Sequence, residues 1–443
     1  MSIEEQLFKK NKERILKSLQ LAKNTPYYAK LFSVLKINVD ELDSYDAFKL
    51  IPIMTKNIYK ENYIDCIING LIDKETRKKL NDTVISYAEK DVIVEPLNLE
   101  IYITSGSTGI PLEIIRHSRD MKKNYTILNK YRKSKGGLMA LGNYIWVLPE
   151  SYVSRKYVFN QDEPYFKQNS YGYIACIATL SDKELLKFIN FIYTKKITAI
   201  ISWPSFLVRL SQYVNKNNAF EYIQKIQYLE CNSEPLFDWQ VDIIYETFQL
   251  HVSNVYSGNE TNFISATCSK NKMHLFDDNV FLELVENEWG VKETIVTNLS
   301  CDYTTLIRYN LGDVAEWDTS LCSCEMSHKY KINLKNYRSN DMVIAKNGNK
   351  YEFNIISDPL HFAQIKYSVT FDKYKVVQNK VDEFILYIGV NDSPKDTQKV
   401  VDYFKSYLEQ VLKYTVSIIV IQRMLNWEEF NFSRKYRYFE CQI

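Results

Sequence analysis

Residues Thr104-Ser105-Gly106-Ser107-Thr108-Gly109 form a run made only of hydroxyls and glycines. Gly106 and Gly109 permit backbone conformations closed to other residues. Such a loop can turn its N–H groups inward as a concave nest, the backbone's usual answer to a polyphosphate, and the hydroxyls of Thr104, Ser105, Ser107 and Thr108 add neutral donors. No lysine follows Gly109, so the Walker-type ending is absent. Two further strings carry a carboxylate at a turn: Tyr256-Ser257-Gly258-Asn259-Glu260 and Leu306-Ile307-Arg308-Tyr309-Asn310-Leu311-Gly312-Asp313. In the second, Gly312 is expected to turn the backbone so that Asp313 projects.

A separate group has metal-ligand chemistry. Cys322-Ser323-Cys324 follows the Asp313 string, and Cys268 and His274 flank a turn after Glu260. Three thiols and an imidazole suit tetrahedral zinc. His328 competes with His274 for the fourth position.

The elements that must position these residues can be read from periodicity. β-Branched runs at Ile101–Ile103 and Leu112–Ile115 flank the hydroxyl loop as strands. Residues 1–35 and His117 to Tyr131 read as helices, and Thr55 caps a helix after Pro52. Strand Tyr144–Leu148, helix Asp182–Lys195, strand Ile197–Ile201, strand Ile226–Glu230, a helix to Phe248 and strand His251–Val255 then alternate. That alternation predicts a layered α/β domain. Past residue 341 the pattern becomes that of a compact α+β module. It has a hairpin turn at Lys346-Asn347-Gly348-Asn349, strands Tyr374–Gln378 and Glu383–Gly389, a helix starting near Pro394, and Thr415–Ile421 as the last strand.

Composition narrows the class. The chain has 443 residues, enough for a large domain and a smaller one. With 46% apolar and 25% charged residues it reads as a soluble globular protein. A net charge of +2 gives no electrostatic case for nucleic acid or an anionic membrane. No stretch has the length and apolarity of a membrane span, and the charged N-terminus does not read as a signal peptide. Eight scattered cysteines do not make a secreted disulfide framework, so the expected location is cytoplasmic.

Taken in order, these strings resemble the adenylate-forming superfamily, which includes acyl-CoA synthetases and peptide-synthetase adenylation domains. The branch most resembled is that of phenylacetate-CoA ligase and the CapK-like proteins. The resemblance rests on TSGSTG-Ile-Pro, the Glu234-Pro235-Leu236 turn, Tyr256–Glu260, Arg308–Asp313, Arg338 with Asp341, and Lys435 in the tail. It implies a large N-terminal ATP- and substrate-binding domain over 1–337 and a small mobile lid over 338–443. Its roles would fall as follows. Residues 104–109 hold the phosphates, Glu234 and Pro235 line the adenine, and Tyr256 stacks near it. Asn259 stands where the family has threonine. Glu260 binds magnesium, Asp313 accepts the ribose hydroxyls, and Arg338 marks the hinge. Lys435, or Arg434 if the register slips by one, bridges the carboxylate and the α-phosphate. Some members of the branch also hold structural zinc at the position of Cys268, His274, Cys322 and Cys324.

The implied reaction activates an aryl or other small carboxylic acid with ATP to an acyl-adenylate and pyrophosphate. The acyl group then passes to a thiol, either coenzyme A or a carrier protein's phosphopantetheine. Two alternatives stay open. One is a degenerate nucleotide-binding relative, suggested by Ser257, Asn259, Tyr337, Asn340 and Arg434, which all depart from the family pattern. The other is an adenylating enzyme with an amine or hydroxyl acceptor.

Overall fold

The computed structural model describes residues 1–82, 87–104, 112–135, 143–148, 164–168, 172–177, 180–326, 328–338, 342–367, 369, 373–390, 397–424 and 439–443. Among these, no helix is long and apolar enough to cross a membrane. The architecture is mixed α/β. The chain forms two compact units, one of residues 1–138 with 254–334, the other of 139–253 with 335–443.

The first unit opens with a helix, Ile3–Lys23, started by a capping box in which Ser2 and Glu5 each accept from the other's backbone N–H. The expected single helical region breaks at Thr25-Pro26. There Thr25 caps a second helix, Pro26–Val34, with proline at its first position. Thr55 caps Lys56–Asn62 as its hydroxyl predicts. The strands flanking the hydroxyl loop pair antiparallel as Leu99–Thr104 and Leu112–His117, with Thr104 opposite Leu112. Helix Ser118–Ser134 follows directly, with the His117 ring accepting from Arg119 N–H.

The sheet of this unit runs in the order Val280–Glu286, Lys292–Asn298, Tyr309–Asp318, Lys331–Arg338, Met273–Leu275, Asn262–Thr267, Ser253–Gly258. Tyr309–Asp318 is one uninterrupted strand, so the turn expected at Gly312 is instead a bulge. Gly312 takes φ 73°, and the register against Lys292–Asn298 shifts between Glu293 and Ile295. Helix Ile3–Lys23 supplies Leu7, Ile15 and Leu19 to the same buried core as Phe281, Val296 and Tyr309.

In the second unit, strands Tyr228–Cys231, Ala199–Ser202, Tyr144–Val147 and Tyr173–Cys176 lie parallel in that order, with Tyr165–Gln168 antiparallel at the edge. Helix Pro204–Asn217 returns the chain between two of them, the crossover that parallel pairing requires. The Lys346–Asn349 hairpin turn is present, with Gly348 at φ 79° and Ala345 N–H donating to Asn349 O at 2.8 Å. A four-stranded sheet follows in the order Ser417–Met424, Glu383–Val390, Lys373–Lys380, Phe439–Cys441. Its central pair is antiparallel and both outer strands join parallel. Ser417–Met424 is therefore not the last strand. Phe439 is buried and carries a further short strand beside Val376. Helix Thr397–Leu412 buries Val400, Phe404 and Leu408 as its apolar stripe requires. Within this unit the Trp239 ring stacks on His361 at 5.3 Å.

Candidate active site and metal centre

Two strands of the first unit's sheet carry the carboxylate motifs. Strand Ser253–Gly258 brings Tyr256 to a buried position and ends just before Asn259, which is exposed, and Glu260, which is half-buried. The Tyr256 hydroxyl donates to Asp313 Oδ2 at 2.8 Å and lies 3.2 Å from Thr294 Oγ1. Thr294 in turn donates to the Asp313 backbone carbonyl at 3.1 Å. Tyr309 donates to Glu260 Oε1 at 3.2 Å, and Asn298 Nδ2 donates to the Glu260 carbonyl at 3.3 Å. The two motifs, over fifty residues apart in sequence, are thus cross-bonded side by side. Glu260 Oε2 has no hydrogen-bond or ion-pair partner among the described residues. A carboxylate oxygen with no ion pair among the described residues, lining a pocket, fits a magnesium ion, which takes few protein oxygens and completes its shell with phosphate and water.

The Asp313 strand is anchored at its start by Arg308. Its backbone sits in the left-handed region at φ 51°, which brings its carbonyl to Met54 N–H at 2.9 Å and its own N–H to Thr297 Oγ1 at 2.9 Å. The Arg308 side chain is buried and forks onto Glu283, with Nε 3.1 Å from Oε2 and Nη2 3.0 Å from Oε1. Nη1 donates to the Lys49 and Ile51 carbonyls at 2.8 and 2.5 Å. Glu283 is fully buried, and burial pushes its carboxyl up despite Arg308 and the Tyr45 hydroxyl.

Thr104 ends the first strand of the loop hairpin. Ser105, Gly106, Ser107, Thr108 and Gly109 lie outside the described residues, as do Arg434 and Lys435. Glu234 and Pro235 stand in the second unit, where Glu234 Oε2 accepts from Ser205 N–H at 3.2 Å. The preceding Ser233 has φ 72°, the left-handed conformation that glycine adopts without cost. Arg338 is the final residue of strand Lys331–Arg338, while Ser339, Asn340 and Asp341 are outside the described residues.

The cysteine and histidine residues converge. Ligand atoms of Cys268, His274, Cys322 and Cys324 all lie within 4.8 Å of one another. Cys268 Sγ is 3.7 Å from Cys322 Sγ, and Cys324 Sγ is 3.3 Å from His274 Nε2. Two sulfurs about 2.3 Å from a tetrahedral centre are roughly 3.75 Å apart, so the spacing fits zinc, while a disulfide needs about 2.05 Å. Burial opposes ionisation of Cys268, yet the amides of Lys272 and Lys270 bring its thiol below its ordinary value. Burial and the neighbouring thiols push Cys324 up to about 11. His328 does not join the cluster. Its Nδ1 faces Asp277 Oδ1 at 3.0 Å and its backbone carbonyl pairs with His274 Nδ1, fixing that ring with Nε2 toward the sulfurs. Asp277 Oδ2 also accepts from Lys10 at 2.6 Å, tying the N-terminal helix to this region.

Three further residues act at the site. Tyr309 bonds Glu260. Asp120 is buried and accepts from the N–H groups of Asp302 and Tyr303 at 2.8 and 3.1 Å, holding the loop before the Arg308 motif. Arg116, on the strand leaving the hydroxyl loop, reaches the turn of Glu260. Its signal was a charge on an otherwise apolar strand face, with Leu112 and Ile114 as its alternating neighbours.

This sheet arrangement and C-terminal module are the fold of the AMP-forming ligases. A solved structure of 2-hydroxyisobutyryl-CoA ligase, in the postadenylation state with an acyl-AMP, superposes with a TM-score of 0.67 at 14% identity, over 97% of this chain and 88% of that one. The adenylation domain of a carboxylate reductase from Mycobacterium chelonae gives a TM-score of 0.51 at 14% identity, over 76% and 57% of the two chains. In sequence, the chain is 24% identical over 306 residues to Protein CapK of Staphylococcus aureus. That match spans 66% of this chain and 64% of CapK, so just under two thirds of the relative's length is covered. No family model matches the sequence.

Proposed function

We propose that this chain is an AMP-forming carboxylate ligase of the phenylacetate-CoA ligase and CapK-like branch. A carboxylate oxygen of a small acid attacks the α-phosphorus of ATP, the bond to the β-phosphate bridging oxygen breaks, and pyrophosphate leaves. A thiol, of coenzyme A or a carrier protein's phosphopantetheine, then attacks the acyl carbon and releases AMP. The observation that carries this reading is the cross-bonded pair of motifs: Tyr256 on Asp313 at 2.8 Å and Tyr309 on Glu260 at 3.2 Å. They hold the Asp313 and Glu260 carboxylates at fixed places on one sheet, which supports their use for ribose and metal, within a fold shared with a ligase solved with R3-HIB-AMP.

In this reading the hydroxyls and amides of Thr104–Gly109 neutralise the leaving pyrophosphate, and Thr108 Oγ bonds the γ-phosphate. Glu260 holds magnesium, which would supply charge neutralisation on the phosphates. Asp313 accepts both ribose hydroxyls, as an ionised carboxylate can. Glu234 and Pro235 contact the adenine beside Tyr256, and Asn259 takes the threonine's place. Lys435 orients the acid against the α-phosphate, a gain in alignment. The 338–443 module acts as the lid, turning at residues near Arg338, since a hinge needs only a few adaptable positions.

The test is acid-dependent ATP–pyrophosphate exchange across a panel of aliphatic and aryl carboxylic acids. Exchange with one acid class, followed by thioester formation with coenzyme A or a phosphopantetheinylated carrier, is the expected result. ATP binding with no exchange for any acid would leave a nucleotide-binding module in its place. Exchange without a thioester would point to an amine or hydroxyl acceptor.

The same reading includes structural zinc at Cys268, His274, Cys322 and Cys324. The segment between Asp318 and Lys331 has no regular strand or helix among its described residues, and a metal there ties it to the Cys268 turn. Purified protein is expected to contain one zinc per chain by plasma mass spectrometry. Stripping it with a strong chelator should lower the melting midpoint by roughly 5 °C, as loss of a bound ligand does.

A further inference from the structure

Arg116 is a buried guanidinium whose acceptors among the described residues are all uncharged. It alternates along its strand with Leu112 and Ile114, and the three are 6%, 1% and 2% exposed. Taking a guanidinium out of water is costly unless its donors are met. Here Nη2 donates to the Gly258 carbonyl at 3.1 Å, Nη1 donates to Asn262 Oδ1 and lies 3.2 Å from Met121 Sδ, and the Tyr102 ring centre is 5.5 Å away. No carboxylate pairs with it among the described residues.

The two oxygen acceptors have one thing in common. Gly258 and Asn262 bracket the turn that carries Glu260. Asn262 is held at φ 63°, a left-handed conformation suited to closing a turn. The turn is tight: a Cβ on Gly258 would sit 2.9 Å from Thr261 Oγ1 and 3.1 Å from Leu311 Cδ2. Arg116, Glu260 and Asn262 line a common pocket with Tyr59, Tyr63 and Cys301.

We propose that Arg116 is a positioning residue that fixes the turn carrying the Glu260 carboxylate for metal binding. It stands on the strand that leaves the loop, and its fork grips both ends of the Glu260 turn. Magnesium held at Glu260 would tolerate little error in the placing of that carboxylate, because it demands near-ideal geometry. Arginine presents rigid, planar donors that reach two acceptors at once, whereas lysine offers a point charge on a flexible stem. The inference rests on the ligase reading above.

The experiment uses manganese in place of magnesium and reads free Mn2+ by electron paramagnetic resonance during titration of the full chain with ATP present. ATP affinity with metal chelated is measured in parallel. R116K and R116M should each weaken Mn2+ binding in the presence of ATP by about tenfold, the scale of outer-sphere supports of metal ligands. Their metal-free ATP affinity should stay within about twofold of wild type. The double variant R116M/E260Q should lose no more than E260Q alone, since both act through one carboxylate. Asn262→Gly, which keeps the turn's backbone accessible and removes one arm of the grip, should shift Mn2+ binding the same way by a smaller factor. It and R116K carry the test if R116M does not fold.

Wild-type Mn2+ affinity in both R116K and N262G, or an equal loss of metal-free ATP binding, would overturn the proposal and leave the ligase reading standing. A wild-type chain that binds no Mn2+ with ATP would sink both.

Discussion

Replacing Asp313 with alanine should lower acid-dependent ATP–pyrophosphate exchange by about two orders of magnitude. The carboxylate is half-buried, so its removal leaves the core intact. On the ligase proposal, what is lost is a pair of charge-assisted hydrogen bonds to the ribose, each worth about 1.5–3 kcal/mol, and roughly 3 kcal/mol is a factor of about 150 in rate. A second consequence follows from the Tyr256 hydroxyl, which donates to Asp313 Oδ2 at 2.8 Å. In the wild type that bond steers the carboxylate, so Y256F should lower exchange too, by about tenfold. The apparent Michaelis constant for ATP should carry most of both losses, and the melting midpoint should move little in either variant. Equal exchange by D313A and wild type would remove Asp313 from the nucleotide site.

Arg308→Met should have the largest effect on stability of any single change discussed. Arg308 is matched by a bidentate bond to Glu283 and by two backbone carbonyls, all inside the core of the first unit. Removing it leaves Glu283, which is fully buried, without its cation. Breaking one side of a buried pair costs about 3–5 kcal/mol. Burial already raises the Glu283 carboxyl above its ordinary value, and losing Arg308 raises it further. For an acid whose folded value lies above its unfolded one, the penalty is absent below the unfolded value and grows as pH rises. The destabilisation of R308M should therefore be larger at pH 8 than at pH 5, by chemical denaturation. R308M/E283Q should recover part of the loss, because the stranded charge is gone. A pH-independent deficit, or no recovery in the double variant, would contradict this account.

The strings that carry the chemistry were legible because each pairs a special backbone need with a functional group. The parallel strands of the second unit were legible for a different reason. The observed strands Ala199–Ser202 and Tyr228–Cys231 are buried along their whole length, as a parallel sheet covered on both faces requires, and each sits within a mostly apolar stretch of sequence. The antiparallel part was harder. Strand Lys292–Asn298 opens on Lys292 and Glu293, and Lys331–Arg338 carries Lys331 and Lys335 among its apolar residues, so composition alone hides them. Gly312 misled because a glycine before an aspartate usually marks a turn, whereas here it absorbs a bulge within a ten-residue strand. The strand Phe439–Cys441 is three residues long and takes its identity from pairing with Lys373–Lys380, which no local pattern reveals.

The cysteine and histidine cluster shows the limit of spacing. Cys322 and Cys324 announced themselves, but the choice between His274 and His328 could not be made along the chain. Strand pairing makes it: His274 lies opposite Lys331 and Ala266, which aims its ring at the cysteines, while Asp277 claims the ring of His328. Arg116 was missed for a related reason. A lone arginine after an isoleucine run reads as a surface charge, and only its cross-chain contacts to Gly258 and Asn262 show otherwise.

The central claim is that an oxygen of a carboxylic acid becomes bonded to the α-phosphorus of ATP. Isotope transfer tests it directly. The chain is incubated with ATP, a thiol acceptor and an acid carrying 18O at both carboxyl oxygens, and the AMP is analysed by mass spectrometry. The account predicts AMP containing one 18O atom, the oxygen left behind when the thiol takes the acyl group. Unlabelled AMP, or ADP and phosphate as the sole products, would contradict it.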